Sequence, residues 1–408
     1  MHRRHPGLTP GRTDRALLLL LAAITALAPI ATNLYLPALP AVREHFGGTV
    51  AEVQATFSVS LVTFACGILL WGPFSDRYGR RTAILAGLVI LVAGAVLSLT
   101  ATTLPALVAG RAVQAFGSAT GLVVARAILS DLYPIERMSK ALAQLTMVAV
   151  TGNALAPVIG GYLTAGFGWR SIFGAIVATA VVVAIAVWRG LPETRPPDAH
   201  APRGREMART AWSLVRMPMF AGCVAQSAVV YATFLVFISL APYVMVTALG
   251  RPPTEFGYYY LFIAVGYFLG NWSVSRYMAR HDLHWMVVRG VLLTAVGAVA
   301  ALAFVALGLE HPLWIFVPIG VLSYGQGLAL PNVTATAVSL APRHAGVASS
   351  TIGFLQQMIG AGAVQWMGHS PTDTALPMLG FCAAACLAGL GMLYVFPRVE
   401  AGARRTPR

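Results

Sequence analysis

Runs of about 20 apolar residues recur along the whole chain, each long enough to cross a hydrocarbon core of roughly 30 Å as a helix. Polar breaks separate twelve such predicted spans, near 16–40, 51–71, 82–102, 105–129, 140–165, 172–189, 219–247, 257–279, 287–307, 313–337, 347–368 and 375–396. The chain is 57% hydrophobic and 10% charged. Soluble domains carry roughly 25% charged residues, so the expected class is an all-α membrane protein.

The basic residues set an orientation. With the N-terminus placed inside, the inside loops and termini hold all but five of the 28 Lys and Arg. Arg43, Arg170 and Arg251 fall outside, while Arg111 and Arg126 lie within the fourth span. Basic loops stay on the cytoplasmic side during insertion. Both termini are therefore expected in the cytoplasm, which requires an even number of spans. The net charge of +14 is spread through short loops, so topology accounts for it without nucleic acid as a partner. The Arg3-Arg4 pair ahead of the first apolar run reads as the flank of an uncleaved first helix. Cys66, Cys223, Cys382 and Cys386 all lie in apolar spans and read as small buried residues, with no metal expected.

A long polar stretch from about Gly190 to Pro218, rich in Pro and Arg, divides the spans six and six. It reads as a cytoplasmic linker with a short amphipathic helix near Met207–Val215. The expected organisation is a tail at 1–15, a six-helix bundle at 16–189, the linker at 190–218, a second bundle at 219–397 and a tail at 398–408. Two repeated halves joined on the cytoplasmic side are what a transporter with internal pseudo-symmetry requires. A weak repeat agrees. Gly72 leads to Arg77-Tyr78 after the second span, and Gly270 leads to Arg276-Tyr277 after the eighth, without the Asp and the Arg pair of the first copy.

The first copy carries the most specific motif. Gly72, Asp76, Arg77, Gly79, Arg80 and Arg81 spell Gly-x-x-x-Asp-Arg-x-Gly-Arg-Arg. This resembles the loop between the second and third helices of the major facilitator superfamily. Gly110-Arg111 with Gln114 and Gly117 is similar to the fourth-helix Arg motif. Asn153, Pro157, Gly160 and Gly161 resemble the fifth-helix motif of antiporters. Leu330-Pro331-Asn332, Gly353 to Gln356, and Tyr35 to Pro40 resemble the drug-efflux branch typified by bicyclomycin and chloramphenicol resistance proteins. The resemblance covers essentially the entire chain. It implies a monomeric secondary active transporter in the bacterial inner membrane, with twelve helices in two pseudo-symmetric six-helix halves. It further implies export of small amphipathic molecules, drugs and antibiotics among them, by alternating access and proton antiport, without a cofactor.

The motifs have a physical reading. Gly72 and Gly79 are expected to let the backbone turn between helices. Asp76 suits the exposed N–H groups at a helix start, with the eleventh helix near Ala345-Gly346 as its expected partner. Arg80 is expected to pair with Asp131, and these contacts would latch the halves together on the cytoplasmic side. Pro157, Gly160 and Gly161 allow a bend and a close helix approach that could seal the outer end.

The polar groups on apolar helices form the candidate substrate site. They are Asn33, Tyr35, Arg111, Gln114, Gln144 and Asn153 in the first half. In the second half they are Gln226, Tyr231, Tyr258, Tyr259, Tyr267, Gln326, Asn332, Gln356 and Gln357. An aromatic and amide lining suits amphipathic, neutral or weakly charged molecules. Arg126 stays open between snorkelling, a structural salt bridge and a transport role. Trp169 and Trp314, near span ends, fit interfacial belts.

All fourteen acids and nine histidines fall in loops, termini or helix ends. Proton antiporters usually hold a titratable acid in the cavity, where proton and substrate compete. The resembled branch commonly has an Asp just before its Tyr-Leu-Pro motif, where this chain has Asn33. Three routes follow: coupling through a peripheral Asp131, Asp76 or Glu52; a facilitator without proton coupling; or a charged substrate that moves proton equivalents. An endogenous metabolite or natural product is the alternative cargo. No metal cluster, nucleophile elbow or phosphate loop supports an enzyme.

Overall fold

The computed structural model describes residues 12–133, 135–195, 204–278 and 281–393. Among them are fourteen α-helices. They are α1 (Arg12–Tyr35), α2 (Leu39–Phe46), α3 (Val50–Tyr78), α4 (Arg80–Leu99), α5 (Leu104–Leu132), α6 (Ile135–Phe167) and α7 (Arg170–Gly190), followed by α8 (Gly204–Val215), α9 (Pro218–Tyr243), α10 (Pro253–Tyr277), α11 (Leu283–Ala306), α12 (Leu313–Ser339), α13 (Ala345–Met367) and α14 (Leu376–Met392). The tails at 1–11 and 394–408 lie outside the described residues, as do 196–203 of the linker.

Among the described residues, nine of these segments are long and apolar enough to cross a membrane. The helices α10 and α13 match them in length at 25 and 23 residues, and α14 is a shorter apolar helix of 17. With these three, the long helices fall at the twelve predicted positions. The small helix α8 contains the predicted amphipathic segment. It buries Leu214 with Phe220 and exposes Trp212, beneath the guanidinium of Arg216.

Local sequence explains the ends. Thr49 and Glu52 form a reciprocal capping box at the start of α3. Asp282 accepts the Trp285 N–H at 2.9 Å at the start of α11. Between α3 and α4 the chain turns on one residue, Gly79, at φ +98°. Gly72 was expected to share that turn but lies inside α3, because one residue at positive φ suffices to reverse the chain.

Helices in lipid associate through close packing and hydrogen bonds, since the acyl chains are as apolar as Leu. Small residues bring the backbones together here. A Cβ on Gly94 would lie 2.2 Å from the Gln114 nitrogen, and one on Gly117 would lie 2.4 Å from the Leu91 nitrogen, so α4 and α5 touch backbone to backbone. In the second half Gly290 and Gly297 hold α11 against α12 in the same way. Large apolar side chains such as Leu19, Val89, Val182, Val296 and Trp366 point outward, as a lipid-facing surface requires.

Helices α1 to α7 pack mainly on one another, and so do α9 to α14. The two sets meet chiefly along α3 with α13 and α6 with α10. In span order these are the second with the eleventh and the fifth with the eighth. Exchanging the halves turns one pair into the other, as a pseudo-two-fold axis demands.

Candidate functional site

A cavity of about 520 Å³ lies between the two helix sets. Helices α1, α3, α5 and α6 supply one wall, and α9, α10, α12 and α13 the other. Of the predicted site residues, Asn33, Asn153, Tyr231, Tyr267, Gln326, Gln356 and Gln357 line it. Phe64, Phe234, Leu61, Leu235, Ile263 and Ile352 make much of the remainder apolar. No Asp, Glu or His is among the described lining residues.

The cavity ends at a cluster of hydrogen bonds. Asn33 Nδ2 donates to the Asn153 side-chain oxygen and, at 3.0 Å, to the Pro29 carbonyl. Tyr260 Oη donates to Asn33 Oδ1 at 3.3 Å from the other helix set. On the far wall Gln326 Nε2 donates to the Val230 carbonyl at 3.0 Å.

Beyond this cluster the halves are sealed. Gln54 Nε2 donates to the Ser239 carbonyl at 2.9 Å, and Ser58 Oγ to Gln365 Oε1 at 2.7 Å. Gln365 Nε2 returns to the Ala51 carbonyl at 3.0 Å, and the hydroxyls of Tyr162 and Tyr258 pair across the seam. A Cβ on Gly160 would lie 2.1 Å from the Leu34 carbonyl oxygen, and one on Gly161 would lie 3.0 Å from Thr254 Cα. Gly257 meets the backbone at Pro157 and Val158 just as closely. The Pro157, Gly160 and Gly161 motif therefore sits in the seam between α6, α1 and α10. Among the described residues, the side-chain hydrogen bonds that join the halves are the four of this seam and Tyr260 to Asn33. All lie at the end away from the linker.

The linker end is arranged differently. Arg80 pairs with Asp76 and, at 3.0 Å through Nε, with Asp131. Its Nη1 also donates to Ser75 Oγ at 2.7 Å. Glu193 Oε1 accepts the Arg80 N–H at 2.8 Å and Oε2 the Arg81 N–H at 3.2 Å, so this carboxylate caps α4 from the start of the linker. Arg195 donates to the Arg77 carbonyl at 2.9 Å, and the Arg77 guanidinium lies over the Tyr78 ring. All of these contacts stay within the first helix set. No hydrogen bond among the described residues joins Asp76 to the start of α13, where its partner was expected. The cavity reaches toward this end, where Arg126, Thr334 and Ser349 line it.

Several predicted residues lie outside the cavity. Tyr35 is fully buried and shares a 3.0 Å hydrogen bond with Thr56. Arg111, 2% exposed, stacks 4.6 Å from the Tyr35 ring centroid, and its Nη1 donates to Gln114 Oε1 at 3.2 Å. That trio fastens α5 to α1 within the first half. Gln226 is fully buried in α9, and Asn332 donates to the Leu328 carbonyl at 2.8 Å. Tyr259 stacks on Phe316, and Gln144 is exposed. Trp314 is exposed as an interfacial residue would be, whereas Trp169 is buried against Phe173 and His45.

Sequence reasoning passed over Tyr260 and the hydroxyls of Thr25, Thr32, Ser60, Ser118 and Thr334, all in the wall. The hydroxyls bond to carbonyls three or four residues back, as such side chains do on any helix. Nothing in the sequence marks them as facing a cavity.

Comparison with known proteins agrees with this architecture. Residues 21–364 match the Major Facilitator Superfamily. The chain is 27% identical to the bicyclomycin resistance protein homolog of Haemophilus influenzae, over 93% of this chain and 95% of that one. It is 29% identical to a chloramphenicol resistance protein of Pseudomonas aeruginosa, over 92% and 90% of the two chains. A bacterial homolog of the human lysosomal transporter Spinster, solved in an inward-facing and occupied conformation, superposes with a TM-score of 0.75 at 18% identity. That superposition covers 98% of this chain and 100% of the other.

Proposed function

The chain belongs to the Major Facilitator Superfamily, and from that membership we propose that it is a carrier, not an enzyme, exporting drug-like amphipathic molecules across the bacterial inner membrane. The drug-resistance relatives support the cargo class. The observation that carries the mechanism is the asymmetry of the cavity. The seam that joins the halves lies at one end, and among the described residues the latch residues at the other end bond only within the first half. Read with the positive-inside orientation, the linker end is cytoplasmic, and this is an inward-facing state. Residues 16–189 and 219–397 then act as two bodies that rock about the cavity and expose it to the outside in turn. When they do, Asp76 is placed to reach the start of α13 and hold the cytoplasmic side shut. The carrier works as a monomer.

Proton antiport is the first reading of the driving force, with Asp76, Asp131 or Glu52 as the exchanging acid. The described lining, which holds no carboxylate or imidazole, favours a second reading, a facilitator that follows the gradient of its cargo. Proteoliposomes loaded with chloramphenicol separate the two. Antiport predicts efflux that accelerates when the acceptor compartment is acidified. Equal rates with and without a pH gradient leave the facilitator, and no flux beyond that of protein-free vesicles removes export of this cargo.

A further inference from the structure

Arg80 opens α4, while Arg111 and Arg126 lie within α5, and the structure treats the three differently. Arg80 is neutralised by Asp76 and Asp131. Arg111 is buried on the Tyr35 ring and bonded to Gln114. Arg126 has no hydrogen-bond or ion-pair partner among the described residues, and it is exposed at the cavity wall. It stands six residues before the end of α5, about 9 Å along the axis at 1.5 Å per residue. It is the sole ionised side chain among the described lining residues.

From this placement we propose that the cavity selects amphipathic monoanions, molecules with an apolar body and one carboxylate or similar group that pairs with Arg126. The proposal rests on the reading of this cavity as the substrate site. A lone intramembrane cation is costly, and the cost rises when the cavity closes and water leaves. An anionic cargo neutralises it at that step, and the guanidinium fork offers two parallel donors to a carboxylate. The apolar body meets Phe64 and Phe234 while Tyr231, Tyr267 and Gln356 meet its remaining polar groups. A cationic cargo meets the reverse: like charge at Arg126 and no acid in the described wall to offset it.

The test is equilibrium binding of three fluorescent probes to the purified full chain in detergent. Dansylglycine is anionic, dansylglycinamide is its neutral counterpart, and dansylcadaverine is cationic. The expected order is acid, then amide, then amine, with the acid favoured about tenfold or more over the amide, the range of a charge-assisted bond. Arg126→Gln should bring acid and amide within about threefold of each other while amide binding persists, which also shows that the variant folds. Equal binding of acid and amide by the unaltered chain overturns the proposal without any variant. So does an Arg126→Gln protein that keeps the preference, which would leave Arg126 as an interfacial anchor. Gly353→Trp serves as the site control, because Gly353 lines the cavity with open space at its Cβ position. If that protein binds all three probes as before, the cavity is not the binding site, and the reading beneath the proposal falls with it. If the amide binds in the cavity without a preference for the acid, only the proposal falls.

Discussion

The Tyr260 hydroxyl donates to the Asn33 amide oxygen at 3.3 Å, a bond from α10 to α1 at the sealed end of the cavity. Both residues also line the cavity, so a ligand that competes for Asn33 loosens a contact that holds the seam shut. Tyr260→Phe removes the donor and keeps the ring. A hydrogen bond of this kind contributes about 1 kcal/mol, so the outward-open population should rise roughly fivefold. Spin labels at Gly166 and Arg251, beside the seam, would show the longer distance gaining weight. An unchanged distance distribution would show that the bond does not bear on the equilibrium.

Asn33 lines the cavity at its sealed end. Its amide nitrogen donates to Asn153 and to the Pro29 carbonyl, two donations that an ionised carboxylate cannot make. Asn33→Asp should therefore make export depend on pH across the range in which the new group titrates. The check is the efflux rate against pH for both proteins. Superimposable profiles would mean that this position does not sense the proton.

Gly160→Leu tests the seam directly. Even a Cβ there would lie 2.1 Å from the Leu34 carbonyl oxygen, so α6 must move away from α1. Overpacking of this kind typically costs about 1–3 kcal/mol. The melting temperature should fall, and a cysteine placed at Phe256, buried near the start of α10, should become reachable by a membrane-impermeant thiol reagent. Gly166→Leu, with open space at its Cβ position, serves as the neutral control.

Arg111→Ala separates packing from recognition. The guanidinium lies between the Tyr35 ring and Gln114, away from the cavity. Its removal should lower the melting temperature through loss of the cation–π contact and a packed side chain, worth about 2 kcal/mol when desolvated. The relative affinities for a panel of substrates should stay the same. A changed rank order would return Arg111 to the binding site.

Arg80→Ala leaves Asp76 and Asp131 facing each other without their shared cation. Removing one partner of a buried pair costs about 3–5 kcal/mol, and solvent at the partly exposed Asp76 reduces this. Thermal unfolding in detergent should show a clear loss that Asp76→Asn, combined with Arg80→Ala, partly restores. No restoration would show that charge repulsion is not the cause.

The long apolar helices were legible because apolar length is a chemical necessity of a bilayer. Side-chain direction was less so. In the run Tyr258, Tyr259, Tyr260, the first two were picked as cavity residues and the third lines it, a rotation of about 100° that no residue type signals. Arg111 and Arg126 lie on one helix, separated by only about 60° of rotation, so the wheel cannot rank them. Depth does: near Arg111 the halves are joined, and near Arg126 the cavity lies between them. The spacing of Gly87 and Gly94 on α4 is repeated by Gly290 and Gly297 on α11, an echo of duplication clearer than the Arg-Tyr match. Small residues are so common in this chain that it emerged only once their neighbours were known.

Glu193 sits three residues after α7 ends, yet its carboxylate is clasped to the first turn of α4. The first bundle therefore finishes at residue 193 in sequence but at α4 in space. A split-protein or fusion boundary drawn at the last helical residue would sever that clasp and leave two amides of α4 without their acceptor. Drawn after Arg195, the same boundary would keep the fragment's own staple.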